Sequence, residues 1–194
     1  MRTKICGITS YEDAMVAIEA GANALGFVFY EKSPRYISPL DAQNIIKKLP
    51  PFVEKVGLFV NVDAQIINSY IQESGCTLAQ LHFEADDGLY EQLFVPYIKV
   101  IRAKNKEDIL KYSDEYRLVD AYCEAYGGAG KRLNIEWFKD TDNSKIILAG
   151  GLDSSNVASL KEYGFFGVDV SSGVEISHGR KDTKKVKDFI TNAS

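Results

Sequence analysis

Eight short apolar segments, each followed by a helical stretch, constrain this 194-residue chain more than any other feature. The segments are Thr3–Cys6, Ala24–Phe29, Glu54–Val60, Thr77–His82, Tyr97–Arg102, Tyr116–Asp120, Lys145–Ala149 and Gly167–Val170. They are rich in β-branched and aromatic residues and nearly continuous in apolar character, as expected of strands whose sheet is covered by helices. The intervening helices are predicted over Tyr11–Glu19, Pro39–Leu49, Val62–Glu73, Gly88–Phe94, Lys106–Tyr112, Ile135–Thr141, Ser155–Glu162 and Thr183–Asn192. Ser38 before Pro39 reads as an N-cap with proline in the first turn, and Asn61 and Ser154 read as caps of the third and seventh helices. Glu19-Ala20-Gly21, Glu73-Ser74-Gly75 and Glu162-Tyr163-Gly164 repeat one helix-to-strand turn in which glycine takes the left-handed C-cap.

Unbroken β-α alternation without long linkers implies a parallel sheet, and eight units favour closure into a (β/α)8 TIM barrel rather than an open doubly wound sheet. The length lies just under the usual floor of about 200 residues, so the expectation is a near-minimal barrel forming a single domain over residues 1–194.

Composition narrows the function. Lys and Arg number 23 against 27 Asp and Glu, a net charge of −4, which speaks against a general nucleic-acid binder. The longest apolar run, Ala24 to Tyr30, is too short to span a bilayer, and the N-terminal residues lack the apolar core of a secretion signal. Three dispersed cysteines (Cys6, Cys76 and Cys123) with no C-x-x-C suggest a reducing, cytoplasmic setting and no structural zinc. No spacing suggests metal ligands. Oligomeric state is open between monomer and homodimer.

In a parallel barrel, chemistry gathers where the strands end. Those ends carry Cys6-Gly7, the loop Tyr30–Arg35, Asn61, Gln80 and His82, Arg102, Asp120, Gly150-Gly151, and Asp169 to Gly173. The glycines of Leu148-Ala149-Gly150-Gly151-Leu152 and the Ser171-Ser172-Gly173 turn close strands seven and eight, where barrels of this kind recurrently hold phosphate. Cys6 is either a small structural cysteine or a base or nucleophile beside Lys4. Asp120 is a proton donor or acceptor, or a loop cap. Arg35, in a loop stiffened by Pro34, is either a solvated surface residue, the commoner fate of a loop arginine, or a fork that grips a carboxylate. His82 is an acid/base or, the favoured reading, a hydrogen-bonding residue at the rim of the core, and His178 reads as a surface residue. The glycine-rich stretch Tyr126-Gly127-Gly128-Ala129-Gly130-Lys131 looks like a lid. It fails the nucleotide P-loop spacing, with Ala125 where glycine and Arg132 where Ser or Thr should stand.

Taken together, Lys4-Ile5-Cys6-Gly7-Ile8-Thr9, Gly26-Phe27-Val28-Phe29 with Ser33-Pro34-Arg35, Val56-Gly57-Leu58-Phe59-Val60-Asn61, Gln80-Leu81-His82, Asp120, Gly127-Gly128 with Gly130-Lys131, Leu148–Leu152 and Asp169-Val170-Ser171-Ser172-Gly173-Val174-Glu175 resemble, in order, the phosphoribosylanthranilate isomerase family of tryptophan biosynthesis. The resemblance implies a cofactor-free Amadori rearrangement of a small phosphoribosyl substrate. It implies Asp120 as general acid and Cys6 as general base, with Arg35 on the anthranilate carboxylate. Gln80, His82 and Asp169 would line the substrate site, and Gly150, Gly151, Ser171, Ser172 and Gly173 would hold the phosphate. Phe83 departs from the pattern, which has glycine after Gln-Leu-His, and Cys123 has no family counterpart; lid closure would bring Cys123 near Cys6 and make the enzyme sensitive to oxidation. The competing readings are a histidine-pathway isomerase, which uses two carboxylates and two phosphate sites, and a non-catalytic phosphosugar-binding barrel.

Overall fold

A computed structural model of the chain describes residues 1–121 and 133–194. The glycine-rich stretch with its lid reading, and Cys123 with its oxidation hypothesis, lie outside the described residues. Strands β1 (Arg2–Cys6), β2 (Ala24–Val28), β3 (Glu54–Phe59), β4 (Leu78–Leu81), β5 (Tyr97–Ala103), β6 (Arg117–Ala121), β7 (Ile146–Leu148) and β8 (Gly167–Val170) pair in parallel, each with the next. The register Lys4↔Asp169 and Ile5↔Val170 joins β8 to β1 and closes the barrel. All eight expected strands are present, with ends shifted by at most one residue.

The helices divide into two groups. Helices α1 (Tyr11–Ala20), α2 (Pro39–Ile46), α3 (Ala64–Ser74) and α5 (Thr183–Ala193) have at least eight residues, and each is capped by a side chain that accepts an N–H from its first turn. The caps are Ser10, Ser38, Asp63 and Asp182, so Ser38 acts as expected, whereas Asp63 and not Asn61 caps α3. Gly21, Gly75 and Gly164 all take the left-handed conformation. On the other side, α4 (Asp87–Glu91) is a bare turn and a half. The three helices expected after β5, β6 and β7 are 3-10 segments over Asp108–Leu110, Ile135–Phe138 and Val157–Tyr163.

Local side-chain bonds account for this shortening, because Asn, Asp and Thr compete with the helical ladder. The Asp108 carboxylate accepts the N–H of Lys104, and Asn105 accepts that of Asp108. Thr141 and Asn143 both donate to the Phe138 carbonyl and end the second segment. Asp153 takes the N–H and the hydroxyl of Ser155, and the cap position falls on Asn156 rather than Ser154. The fully buried Arg117 then donates to the carbonyls of Ile109, Ser113 and Glu115, pinning the irregular segment that leads into β6.

Alternation along the strands sorts the core into two layers. Outward-facing Ile5, Phe27, Phe59, Leu81, Ile101, Val119, Leu148 and Val168 pack under the helices against Ala14, Ala17, Ile67, Val186 and Phe189. Burying each such phenylalanine contributes roughly 1.5–3 kcal/mol. Inside the barrel, Cys6, Val28, Leu58 and Val60 form one apolar cluster, and Val100, Leu118 and Ala149 form another. Beyond β8 the chain makes a feature not foreseen from sequence, a small antiparallel hairpin of β9 (Glu175–Ser177) and β10 (Arg180–Lys181).

Candidate active site

Parity along the strands also decides which polar groups reach the barrel axis. Lys4 and Cys6 share one face of β1 because Ile5 takes the other. Gln80 lies across from them on β4, and Arg102 and Asp120 are register partners on β5 and β6. Asp169 stands beside Lys4 in the β1–β8 register, and the Lys4 ammonium donates to Asp169 at 2.9 Å in a buried ion pair. Both Cys6 and Asp120 lie within electrostatic reach of that Lys4–Asp169 pair, which sets the thiol and the carboxyl around one opening.

The two titratable groups of most interest are tuned by burial. Desolvation pushes the Asp120 carboxyl up to about 6, the nearby Asp169 carboxylate adding to it, while the Ala121 N–H, Arg102 and Lys4 pull the other way. Desolvation also raises the Cys6 thiol, opposed by the Lys4 and Lys181 ammonium groups. His82 is buried and lies 3.8 Å from an Asp120 oxygen; burial, Arg102 and Lys4 hold it down at about 4, so it is neutral at ordinary pH. Its burial is what a place at the rim of the core requires. Phe83 packs against the outer core beside it.

Arg35 is drawn into a network that the sequence does not announce. Its Nε and Nη2 donate to the two Glu175 oxygens, both at 2.8 Å, and this pair is buried. Nη1 has no protein partner among the described residues, leaving one edge of the fork available to another carboxylate. Lys181 donates to Glu175 at 2.8 Å and to the Cys6 carbonyl at 2.6 Å. Burial opposes ionisation of Glu175, but Arg35 and Lys181 outweigh it and hold the carboxyl below its ordinary range. His178 is exposed, as expected, with Nδ1 3.4 Å from Arg35.

The loops after β7 and β8 meet backbone to backbone. A Cβ on Gly173 would fall 1.9 Å from the Leu152 carbonyl oxygen, so only glycine permits the contact. The buried Ser171 hydroxyl beside Gly7 and the Gln80 Oε1 have no hydrogen-bond partner among the described residues, which in a native interior calls for a ligand or water. Ser172 opens a single 3-10 turn, Ser172–Val174, and Gly150 and Gly151 both take positive φ. Among the described residues no group of three or more His, Cys, Asp or Glu is arranged to hold a metal, and no helix is long and apolar enough to cross a membrane.

The sequence-expected residues thus converge on one mouth. Lys4, Glu175 and Lys181 join them without having been assigned roles. Lys4 was visible as a charged residue in an apolar strand and Glu175 as the last residue of the Asp169–Glu175 block, but neither carried a role; nothing marked Lys181.

A closed parallel barrel with an acid, a thiol and two abutting glycine-bearing loops at the carboxyl ends of its strands defines a barrel enzyme of the phosphosugar-handling class. Residues 3–192 match the family model for N-(5′-phosphoribosyl)anthranilate (PRA) isomerase. The N-(5′-phosphoribosyl)anthranilate isomerase of Nitratiruptor sp. is 58% identical, with 100% of this chain and 98% of that protein covered. The crystal structure of phosphoribosyl anthranilate isomerase from Thermotoga maritima superposes with a TM-score of 0.92 at 40% identity, covering 100% of this chain and 98% of that one. A further phosphoribosyl anthranilate isomerase structure, in complex with reduced 1-(o-carboxyphenylamino)-1-deoxyribulose 5-phosphate, superposes at 0.86 with 40% identity over the same shares. The chain belongs to the N-(5′-phosphoribosyl)anthranilate isomerase family.

Proposed function

We propose that Asp120 and Cys6 are the acid and base of an Amadori rearrangement in this chain. The reaction is the family's: N-(5′-phosphoribosyl)anthranilate becomes 1-(o-carboxyphenylamino)-1-deoxyribulose 5-phosphate, an aldose–ketose isomerisation in tryptophan biosynthesis. Asp120 donates its proton to the ribose ring oxygen. The C1–O bond breaks toward oxygen, and the anilino nitrogen supplies the pair that makes the C1=N bond of a Schiff base. Cys6 thiolate then removes the C2 proton; the C–H pair becomes the C1=C2 bond and the C=N pair returns to nitrogen. The enolamine loses its C2 hydroxyl proton and gains one at C1, giving the ketone with no net oxidation.

The observation that carries this reading is the placement of both groups around the single Lys4–Asp169 pair, with the acid raised to about 6. An ordinary aspartate at 3.8 is almost wholly ionised at pH 7, whereas at about 6 roughly a tenth stays protonated. Arg35, through Nη1, is positioned for the anthranilate carboxylate, and Asp169 for the sugar. Gln80 and His82 complete the substrate lining. The orphan Ser171 hydroxyl, with Ser172, Gly173, Gly150 and Gly151, is suited to the phosphate.

The test is the loss of substrate fluorescence when purified protein meets phosphoribosylanthranilate. Turnover by the wild type and its loss in Cys6→Ala, with phosphate-ligand binding kept, is the expected result. Normal turnover by that variant overturns the base assignment. Absence of turnover in the wild type would favour a phosphosugar-binding barrel instead.

A further inference from the structure

Lys4 takes no proton in the scheme above, yet a buried ammonium group needs a reason. Its side chain and that of Cys6 leave the same face of β1 and converge on one gap, the missing side chain of Gly26. A Cβ there would lie 2.7 Å from the Cys6 sulfur and 3.0 Å from the Lys4 nitrogen. This places sulfur and ammonium inside the roughly 4–6 Å range in which an opposite charge favours the ionised form. Gly26 is also the register partner of Cys6, so the gap is set by barrel pairing and not by a loop.

We propose that Lys4 is the positioning residue that keeps Cys6 available as a thiolate, with Gly26 providing the space in which the two meet. The proposal rests on Cys6 being the base.

The charges around the sulfur come from three elements. Lys4 on β1 favours the thiolate, Asp169 on β8 opposes it, and Lys181 on β10 favours it. Asp169 is already matched to Lys4 at 2.9 Å, and Lys181 to Glu175 at 2.8 Å, so Asp169 works by holding the ammonium in place. Burial disfavours the Lys4 charge, but Asp169 and Cys6 outweigh it and keep the group protonated. The same ammonium also acts on Asp120. It therefore faces the negative charge before the reaction, on sulfur, and after it, on the carboxylate.

The experiment follows the ultraviolet absorbance of the Cys6 thiolate against pH in a Cys76→Ser/Cys123→Ser background, with and without Lys4→Met. The expected result is a titration midpoint raised by about one unit or more, a tenfold smaller thiolate fraction at a given pH. In the same variant kcat should fall about tenfold at neutral pH and recover as pH rises, with KM changed less than about threefold. Lys4→Arg should restore most of the midpoint. If Lys4→Met does not fold, Lys4→Met/Asp169→Asn leaves no unpaired carboxylate and should show a smaller rise, because the Asp169 charge that opposes the thiolate is removed with the ammonium. An unchanged midpoint in a folded variant overturns the proposal. Full activity in Cys6→Ser would instead overturn the base assignment, whatever the titration shows.

Discussion

The two sides of the barrel mouth treat charge in opposite ways. On the β1, β2 and β8 side, Lys4, Asp169, Arg35, Glu175 and Lys181 are buried, yet each has an ion-pair partner at 2.8–2.9 Å. On the β4, β5 and β6 side, Asp120 accepts the Ala121 N–H and has a neutral His82 at 3.8 Å, and burial pushes it toward the protonated form against the pull of Arg102 and Lys4. Close pairing keeps Lys4 and Glu175 charged against burial, whereas looser contact leaves Asp120 shifted toward its neutral form. The proposed thiolate base would draw on the first environment through Lys4, and the proposed carboxylic acid on the second. One barrel rim supplies both because its strands contribute independently.

The sharpest break in this contrast is Asp120→Asn. It should lower kcat by about 10³-fold, near the middle of the range for a lost general acid, with KM little changed. Steady-state kinetics that show less than about a tenfold fall would remove the acid from that side. Next in size is Glu175→Ala, which leaves Arg35 and Lys181 buried without their carboxylate. Urea unfolding should show a loss of about 3 kcal/mol or more, as for other broken buried pairs, and a loss under 1 kcal/mol would mean the paired side is not held by pairing.

Asp120→Asn has a second, smaller effect, on stability. The wild-type carboxyl titrates near 6 when folded against 3.8 ordinarily, so the folded state binds the proton more tightly. Its contribution is fully present below about pH 4 and is lost as pH rises through 6. The variant should therefore gain on the wild type by on the order of 2 kcal/mol at pH 8 and by little at pH 4. Thermal melts at the two pH values measure this, and equal differences would contradict the raised carboxyl. The smallest expected effect is Gly173→Ala, whose methyl would drive the β8 loop off the Leu152 carbonyl. KM should rise about tenfold, roughly 1.4 kcal/mol, with kcat less affected. An unchanged KM would show that the two loops need not touch to hold the phosphate.

Much of this molecule can be read from one sequence, and the unread part has a common cause. The strands are legible because each is a short apolar run closed by a glycine or a polar, charged or tyrosine residue. The helices after β5, β6 and β7 are overestimated because Asp108 looks like an ordinary polar helix residue, and Asn105, Asn143 and Asp153 like ordinary residues flanking a helix. In the fold their side chains hydrogen-bond the backbone and stop the helix. At the site, Cys6, Asp120 and the glycine loops are visible as polar or small residues ending strands. The ion pairs are not, since Lys4 meets Asp169 across 165 positions and Arg35 meets Glu175 across 140. Nothing local to Lys181 signals that its amine caps the carbonyl of the strand carrying the thiol.

That last contact sets a schedule for biosynthesis. The amine that secures the Cys6 carbonyl is translated 175 positions after it. A ribosome emits roughly 5–20 residues per second, so the first strand spends seconds outside the exit tunnel before its partners on β8 and the terminal hairpin exist. In that interval the Cys6 thiol has no barrel to shelter it.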